Sequence, residues 1–418
     1  MTAPAPAIQR ARHRLHIAAD LFCETGTAVT AGIPADNFLR GAFRRHRNWG
    51  AKDRRFYGDT VFAYLRWRGW LDPLGLDGPT LGVLARQLDG LPTEAAAGLE
   101  APLLPLDAAN PDPAALRRRA VWLAARTGHP EPALGELYPP AVRDLFTSHC
   151  PPGLEPALLL AIGQCRPPLW LRLADSVKDV QLRALDLRRD ARLSHAASAA
   201  KPLSEHQIQD VLGPATVIQD IASQAVGLIA RPLPGQTWWD ACAGGGGKSL
   251  HLAALMGNRG RVWATDCRET ALRECGRRAA KAGYETIACR PLDAAVDPPP
   301  DPDCDGVLLD APCSGLGTWG RNPDARWRFQ ASQLADVVER QRALLDQTAR
   351  AVKPGGVLIY AVCAWTRAET SDLIRAWLTT RPAFRLQPFT HPLTGLPTTG
   401  QILISAPEGP GNTMYIAR

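Results

Sequence analysis

The stretch "QTWWDACAGGGGKSLHLAALMGNRGRVWATD", residues 236–266, decides the fold. "QTWWDACAG" reads as a strand entering a turn, "KSLHLAALMG" as a helix and "GRVWATD" as a second strand. The alternation continues outward. "ETALRECGRRAAKAG" reads as a helix, "TIACR" and "GVLLD" as strands, "ASQLADVVERQRALLDQTARAV" as a long helix, and "KPGG" as a turn into the strand "VLIYAVC". Strands alternating with helices predict an α/β domain, a mostly parallel sheet covered on both faces with ligands at the carboxyl ends of its strands. "QILISAPEGPGNTMYIAR" has no helix between its apolar runs and is expected to close the sheet as an antiparallel pair.

In that frame the carboxyl ends of five strands carry Asp240, Asp266, Asp293, Asp310 and Cys363. One or two such groups are ordinary turn or cap residues. Five on one edge predict a site. Gly244 to Gly247 stand where strand becomes helix, so a ligand can approach bare backbone amides at the positive end of that helix. The run is neither GxGxxG nor a phosphate loop, because Lys248 follows four glycines without the GxxxxGK frame. Asp266, at the end of the next strand, is placed to accept hydrogen bonds from ribose hydroxyls. The residues thus imply a nucleoside-containing ligand, with a dinucleotide and S-adenosylmethionine both open and the missing GxGxxG counting against NAD.

Upstream the texture differs. "IQRARHRLHIAADLFCE", "ADNFLRGAFRRHR", "KDRRFYGDTVFAYLRWRGWLD", "LGVLARQL" and "PAALRRRAVWLAART" carry helical spacing, broken by proline-rich stretches such as "APLLPLDAANPDPAA" (101–115). The expected division is a helical domain over 1–145, a mixed connecting module over 146–230 and the α/β domain over 231–418. A chain of 418 residues suits several domains, since single cores rarely grow past about 250–300 residues. With 45% apolar and 21% charged residues and no unbroken run near the ~20 residues of a membrane span, the reading is a cytoplasmic protein, monomeric by default. The N-terminal "MTAPAPAIQRARHRLHIAAD" lacks the order of a secretory signal. Ten cysteines without CxxC spacing give no support to zinc or a disulfide framework. The net charge of +7 is uneven: "RGAFRRHRNWGAKDRRF" (40–56) and "YLRWRGW" (64–70) interleave cations with aromatics, a mixture suited to RNA.

"IQDIASQA" (218–225), "DACAGGGGKSLHLA" (240–253), "LLDAPCSGLGTWGRNPDARWR" (308–328), "KPGGVLIYAVC" (353–363) and the tail "GPGNTMYIAR" resemble, in that order, the RsmB/Sun family of RNA cytosine-5 methyltransferases. "DRRFYGDTVFAYLRWRGWLD" more weakly resembles the NusB-like helical RNA-binding domain of its RsmB-type members. The resemblance implies a Rossmann-like class I methyltransferase domain after an all-α domain, with S-adenosylmethionine as cofactor and small-subunit ribosomal RNA as substrate. Transfer RNA is the near alternative, and a non-catalytic RNA-binding or ribosome-assembly factor the distant one. It implies Cys363 as nucleophile toward cytosine C6, Cys313 as helper in release of the enzyme, and Asp310 as the group that hydrogen-bonds N3 and borders the cofactor. It further implies that Cys242, Ala243, Gly244, Gly245, Gly246, Gly247 and Lys248 wrap the cofactor, that Asp266 takes its ribose and that Asp293 lies near its adenine. Arg321 and Arg326 are candidates for RNA or loop-ordering contacts, with a salt-bridged loop around Asp324 as the structural alternative.

The chain departs from the family pattern. Gly244 and Gly245 replace Ala-Pro, which loosens the loop and weakens cofactor affinity by about 1 kcal/mol. Val362, Ala364 and Ala368 flank or follow Cys363 where the family has hydroxyls and acids, keeping one acid at Glu369, and Asn412 replaces Asp.

Overall fold

The computed structural model describes residues 6–92, 103–199 and 201–418; the first five residues of the N-terminal stretch and the first two of the break at 101–115 lie outside them. The chain divides into two compact units, residues 1–166 with 318–331, and residues 167–317 with 332–418. This differs from the three-part division expected above. Residues 146–166 go with the helices, and so does a fourteen-residue segment from the middle of the α/β sequence.

The first unit is built on helices Pro6–Thr30, Ala35–Arg45, Ala51–Leu71, Gly78–Leu88 and Pro113–Thr127. The last shows why its ends fall where they do. The Asp112 carboxylate accepts from Ala114 N, Pro113 follows at the first position, and Gly128 takes the left-handed conformation just beyond the end. The aromatic-basic stretches split by depth. Trp67 and Trp70 are buried, and Arg66 is buried against Asp89 at 2.9 Å, while Arg40, Arg44, Arg45, Arg47, Lys52 and Arg55 stay exposed. Burial of the Trp side chains follows from their large apolar area, and a buried arginine persists only when its donors are met.

Segment 318–331 completes this unit. Arg66 donates to Gly320 O at 2.7 Å, Trp327 Nε1 to Leu65 O at 2.8 Å, and Asp324 accepts from Ala35 N at 3.1 Å. Trp319 is 1% exposed and packs on Tyr138 and Phe146.

The second unit holds two sheets. The smaller comprises β1 (Leu169–Arg172), β2 (Leu187–Arg189), β3 (Ala196–Ala199) and β4 (Val217–Ile218), all antiparallel, in the order β2-β3-β1-β4. The larger comprises β5 (Thr237–Asp240), β6 (Arg261–Asp266), β7 (Ile287–Pro291), β8 (Cys304–Asp310), β9 (Val352–Val362), β10 (Gln401–Ile404) and β11 (Met414–Ala417). Their order is β10-β11-β9-β8-β5-β6-β7. β7, β6, β5, β8 and β9 are parallel, and β11 and β10 close the sheet antiparallel, as the helix-free tail predicts.

Alternation assigns the two faces. Trp238, Leu308, Ile359 and Ile416 pack with helix Ile221–Ala230 on one side, while Trp239, Val307, Leu309, Tyr360 and Tyr415 pack with helices Gln333–Thr348 and Ser371–Thr379 on the other. The order of strands in the sheet reverses between β5 and β8, leaving a crevice at their carboxyl ends. No helix among the described residues is long and apolar enough to cross a membrane.

Candidate functional site: a thiol pair beside a nucleoside-sized cavity

Beyond β5 the chain turns through Gly244 (φ 52°) and Gly246 (φ 80°) into helix Gly247–Leu255. Both angles favour glycine. At Gly246 a side chain has no room in any case, because an added Cβ would lie 2.4 Å from Cys275 Sγ. The loop is tied to the next strand by Gly244 N donating to Asp266 Oδ2 at 2.9 Å. Asp266 also accepts from Arg268 N, Nε and Nη2 at 2.9–3.0 Å. Burial works against the charge on Asp266, but these donors outweigh it and hold the carboxyl below its ordinary range.

Asp240, at the end of β5, is fully buried and accepts from Ser249 Oγ at 2.6 Å. Its other oxygen has no partner among the described residues. Burial, reinforced by the charges of Asp310 and Asp266, pushes its pKa up to about 7. Lys248 Nζ meets Asp310 Oδ2 at 2.5 Å; burial opposes the ammonium, and Asp310 more than compensates, so Lys248 is held charged above its usual value.

A cavity of about 670 Å³ opens over this edge, lined by Cys242, Ala243, Gly244, Gly245, Asp266, Asp293, Asp310 and Cys313 among others. Eight residues singled out in the sequence therefore face one space. Gly246, Gly247 and Lys248 are not among the residues that line it. Burial, then the surrounding carboxylates, raise the Cys242 thiol well above its usual range, so it stands there as neutral SH. Asp293 is held by Arg340, whose Nη2 lies 2.8 and 2.9 Å from its two oxygens, and sits below the usual carboxylate range although burial opposes this.

Arg268 and Arg340 also line the cavity. Sequence reasoning missed both. Arg340 is one of several charges on a helix with no motif around it, and only the proximity of Arg268 to Asp266 could have flagged the other.

Cys363 follows β9 directly, and its Sγ lies 3.2 Å from Cys313 Sγ, fifty residues earlier in the chain. Backbone bonds fix the approach: Ala311 N to Ala361 O at 2.9 Å, Gly317 N to Cys363 O at 3.0 Å, and Thr413 N to Gly317 O at 2.9 Å. Gly317 has no alternative, since a Cβ there would sit 2.2 Å from Thr413 O. The hydrogen bond to Cys363, then burial and the charges of Cys363 and Glu369, raise the Cys313 thiol far above its usual value.

The remaining motif residues lie elsewhere. Asp220, from "IQDIASQA", caps helix Ile221–Ala230 and accepts from Asn412 N at 3.1 Å, so two motifs meet in a structural corner. Arg326 is 0% exposed, donates to Gly163 O at 2.7 Å and lies 4.5 Å over the Tyr138 ring; it orders the helical unit and has no surface to offer RNA. Burial lowers its pKa to about 10. The salt bridge expected at Asp324 is made by Arg328, at 3.3 Å. Arg321, half-buried, donates its backbone N–H to Thr318 O at 2.9 Å.

Comparison with known proteins bears on the fold and on the α/β domain. A protein of known structure, PH0851, superposes with a TM-score of 0.70 at 23% identity, covering 100% of this chain and 99% of its own, which establishes the fold. The probable ribosomal RNA small subunit methyltransferase B of Synechocystis sp. is 38% identical over 174 residues, 41% of this chain and 39% of that protein. The tRNA (cytosine(72)-C(5))-methyltransferase NSUN6 of Mus musculus is 33% identical over 184 residues, 41% of this chain and 38% of its own length. The chain thus matches well under half of each of these two relatives. The family model described as 16S rRNA methyltransferase RsmB/F matches residues 228–418. Over residues 228–418, its α/β domain, the chain is therefore similar to the RsmB/F methyltransferases.

Proposed function

We propose that this protein transfers a methyl group from S-adenosylmethionine to C5 of a cytosine in structured RNA, with small-subunit ribosomal RNA as substrate. The observation that carries the reading is the thiol pair, 3.2 Å apart, whose member Cys313 lines the same cavity as Asp310. The cavity suits the cofactor. Its volume falls in the range of small-molecule sites, its floor is bare glycine backbone, and Asp266, Asp293 and Asp310 offer acceptors to hydroxyl and amino donors. S-adenosylmethionine, when bound, supplies an electrophilic methyl group.

The chain's own residues make cytosine able to take it. Cys363 gives its proton to water and its sulfur bonds to C6; the π pair of the C5–C6 double bond moves to C4–C5, the C4–N3 π pair moves onto N3, which takes a proton from water, and C5 becomes the nucleophilic carbon of an enamine. Asp310 hydrogen-bonds the protonated N3, and Lys248 fixes that carboxylate. After methylation a base, water or the Cys313 thiolate, takes the C5 proton; the C–H pair restores the C5–C6 double bond, and the sulfur–C6 pair returns to Cys363 as thiolate. The base must leave its stack to reach both thiols, so the target is a loop, bulge or opened strand. The reading is of a monomer acting in the cytoplasm, with the helical unit contributing the exposed cations of residues 40–55 to RNA binding.

The likeness to NSUN6 supports a second target, transfer RNA. Radiolabelled methyl transfer to total RNA from cells lacking the protein, followed by nucleoside identification and sizing, tests both. Label in 5-methylcytidine of small-subunit ribosomal RNA is expected, and label in small RNA moves the target to transfer RNA. No label, with immature ribosomal particles also tried, overturns the enzyme reading in favour of a binding factor.

A further inference from the structure

Two cysteines in contact pose a problem of choice: either could carry the negative charge, and only one arrangement attacks C6. The surroundings of the pair are not symmetric. Glu369, 0% exposed, lies in the short turn Arg367–Glu369 beyond Cys363 and points its carboxylate at the Cys313 side. It accepts from Ser314 N at 2.8 Å, Ser314 Oγ at 2.6 Å, Thr366 Oγ1 at 2.6 Å and Gln341 Nε2 at 3.2 Å. Gln341 also donates to Pro312 O at 3.1 Å, and Tyr360 OH donates to Glu369 O at 2.8 Å. One carboxylate thus joins the loop bearing Cys313, the turn after Cys363 and the long helix behind them.

On the basis of the activity proposed above, we propose that Glu369 is a positioning residue that makes the thiol pair asymmetric: it sets the distance between the two loops and keeps the proton on Cys313, leaving Cys363 as the nucleophile. The donors to Glu369 are all neutral, so its charge is stabilised without being cancelled and acts on the nearer thiol. The other charged and titratable groups around the pair are Lys248 from the helix after the glycines, Asp310 and Asp240 from the ends of β8 and β5, and Tyr360 from β9. Lys248 faces Asp310, Asp240 and Cys363, whereas Glu369 faces Cys313, so opposite charges flank the two sides of the pair. Cys313 is the thiol whose protonated form is favoured, first by its hydrogen bond with Cys363 and by burial, then by the charges of Cys363 and Glu369.

Alkylation tests this without RNA or methyl transfer. The reduced full chain is treated with limiting iodoacetamide from about pH 6 to about pH 9, and labelled peptides are quantified by mass spectrometry. Cys363 is expected to label ahead of Cys313. Glu369→Gln, which keeps the shape and removes the charge, is expected to raise Cys313 labelling relative to Cys363 by about tenfold, the equivalent of one unit of acidity. Glu369→Asp, retaining the charge, is expected to keep the wild-type order. An unchanged ratio in folded Glu369→Gln overturns the proposal. Should that variant fail to fold, Ser314→Ala decides: it removes one neutral donor, leaves the charge less shielded, and must widen the difference, so an unchanged or narrower ratio overturns the proposal. A protein with the expected labelling and no methyl transfer would sink the enzyme reading alone.

Discussion

The two ends of the crevice are built differently. At β8 and β9 the thiol pair is fixed by backbone bonds from Ala311, Gly317 and Thr413 and by the buried Glu369 with its four donors. At β5 and β6 the cradle is a glycine run with two left-handed turns, held by Gly244 and by Arg278 donating to Gly245 O at 2.7 Å. Bond formation to C6 tolerates displacements well below an ångström, whereas a cofactor cradle needs close approach of backbone and acceptors in the right places. On the proposed reading, rigidity is therefore concentrated where a bond would form and freedom where a ligand would enter. Substitutions at the thiol end should act on kcat, and those in the cradle on cofactor affinity.

The largest effect falls at the thiol end. Cys363→Ala should lower methyl transfer by on the order of 10⁴-fold or more, with cofactor affinity by calorimetry unchanged. Cys313→Ala should lower turnover by about 10²-fold or more and leave a protein–RNA adduct that persists on a denaturing gel. A variant without that slow band, given cofactor and a good substrate, would break the division of labour between the thiols.

In the cradle, Asp266→Asn should cost cofactor affinity about ten- to a hundredfold, the loss of one charged acceptor, with kcat at saturation nearly unchanged. A drop in kcat instead would erase the contrast between the ends.

Asp240 lies beneath both ends. Its folded pKa of about 7 stands above the ordinary value of 3.8, so the native state holds a proton the unfolded chain releases. The resulting stability is full below about pH 4 and is lost as pH rises to about 7. Thermal melts should show wild type losing stability across that window by up to about 4 kcal/mol more than Asp240→Asn, and parallel curves would refute the assignment.

The smallest effect tests the looseness of the cradle. Gly245 is not among the left-handed positions, and a Cβ there meets nothing closer than Arg278 Nη1 at 3.7 Å. Gly245→Pro should therefore tighten cofactor binding by about two- to fivefold, through lost freedom in the unbound loop.

The same contrast orders what was legible beforehand. The strand-end residues Asp240, Asp266, Asp310 and Cys363 could be read because a period-two apolar strand followed by a polar residue leaves few places for that residue to go. Arg340 and Gln341 could not, because a polar residue on an amphipathic helix has no local signal to say which neighbour it will meet. The arginines of "RNPDARWR" were read partly toward RNA. Burial is not a property of a residue type, and Arg326 is enclosed by Tyr138, Trp319 and Gly163 from sequence positions far from its own.

Local composition by itself determined the alternating α/β pattern, the helical front, the glycine run and the polar residues at the strand ends, Cys363 among them, since backbone preference and hydrophobic period act over a few residues; the pairing of Cys363 with Cys313 came only from the family resemblance. Tertiary structure alone decided that Cys313 and Cys363 touch, that Glu369 sits beside one of them, and that residues 318–331 fold with the helices. Those outcomes depend on contacts across long separations, where packing and the satisfaction of buried polar groups select one arrangement among many that local sequence allows.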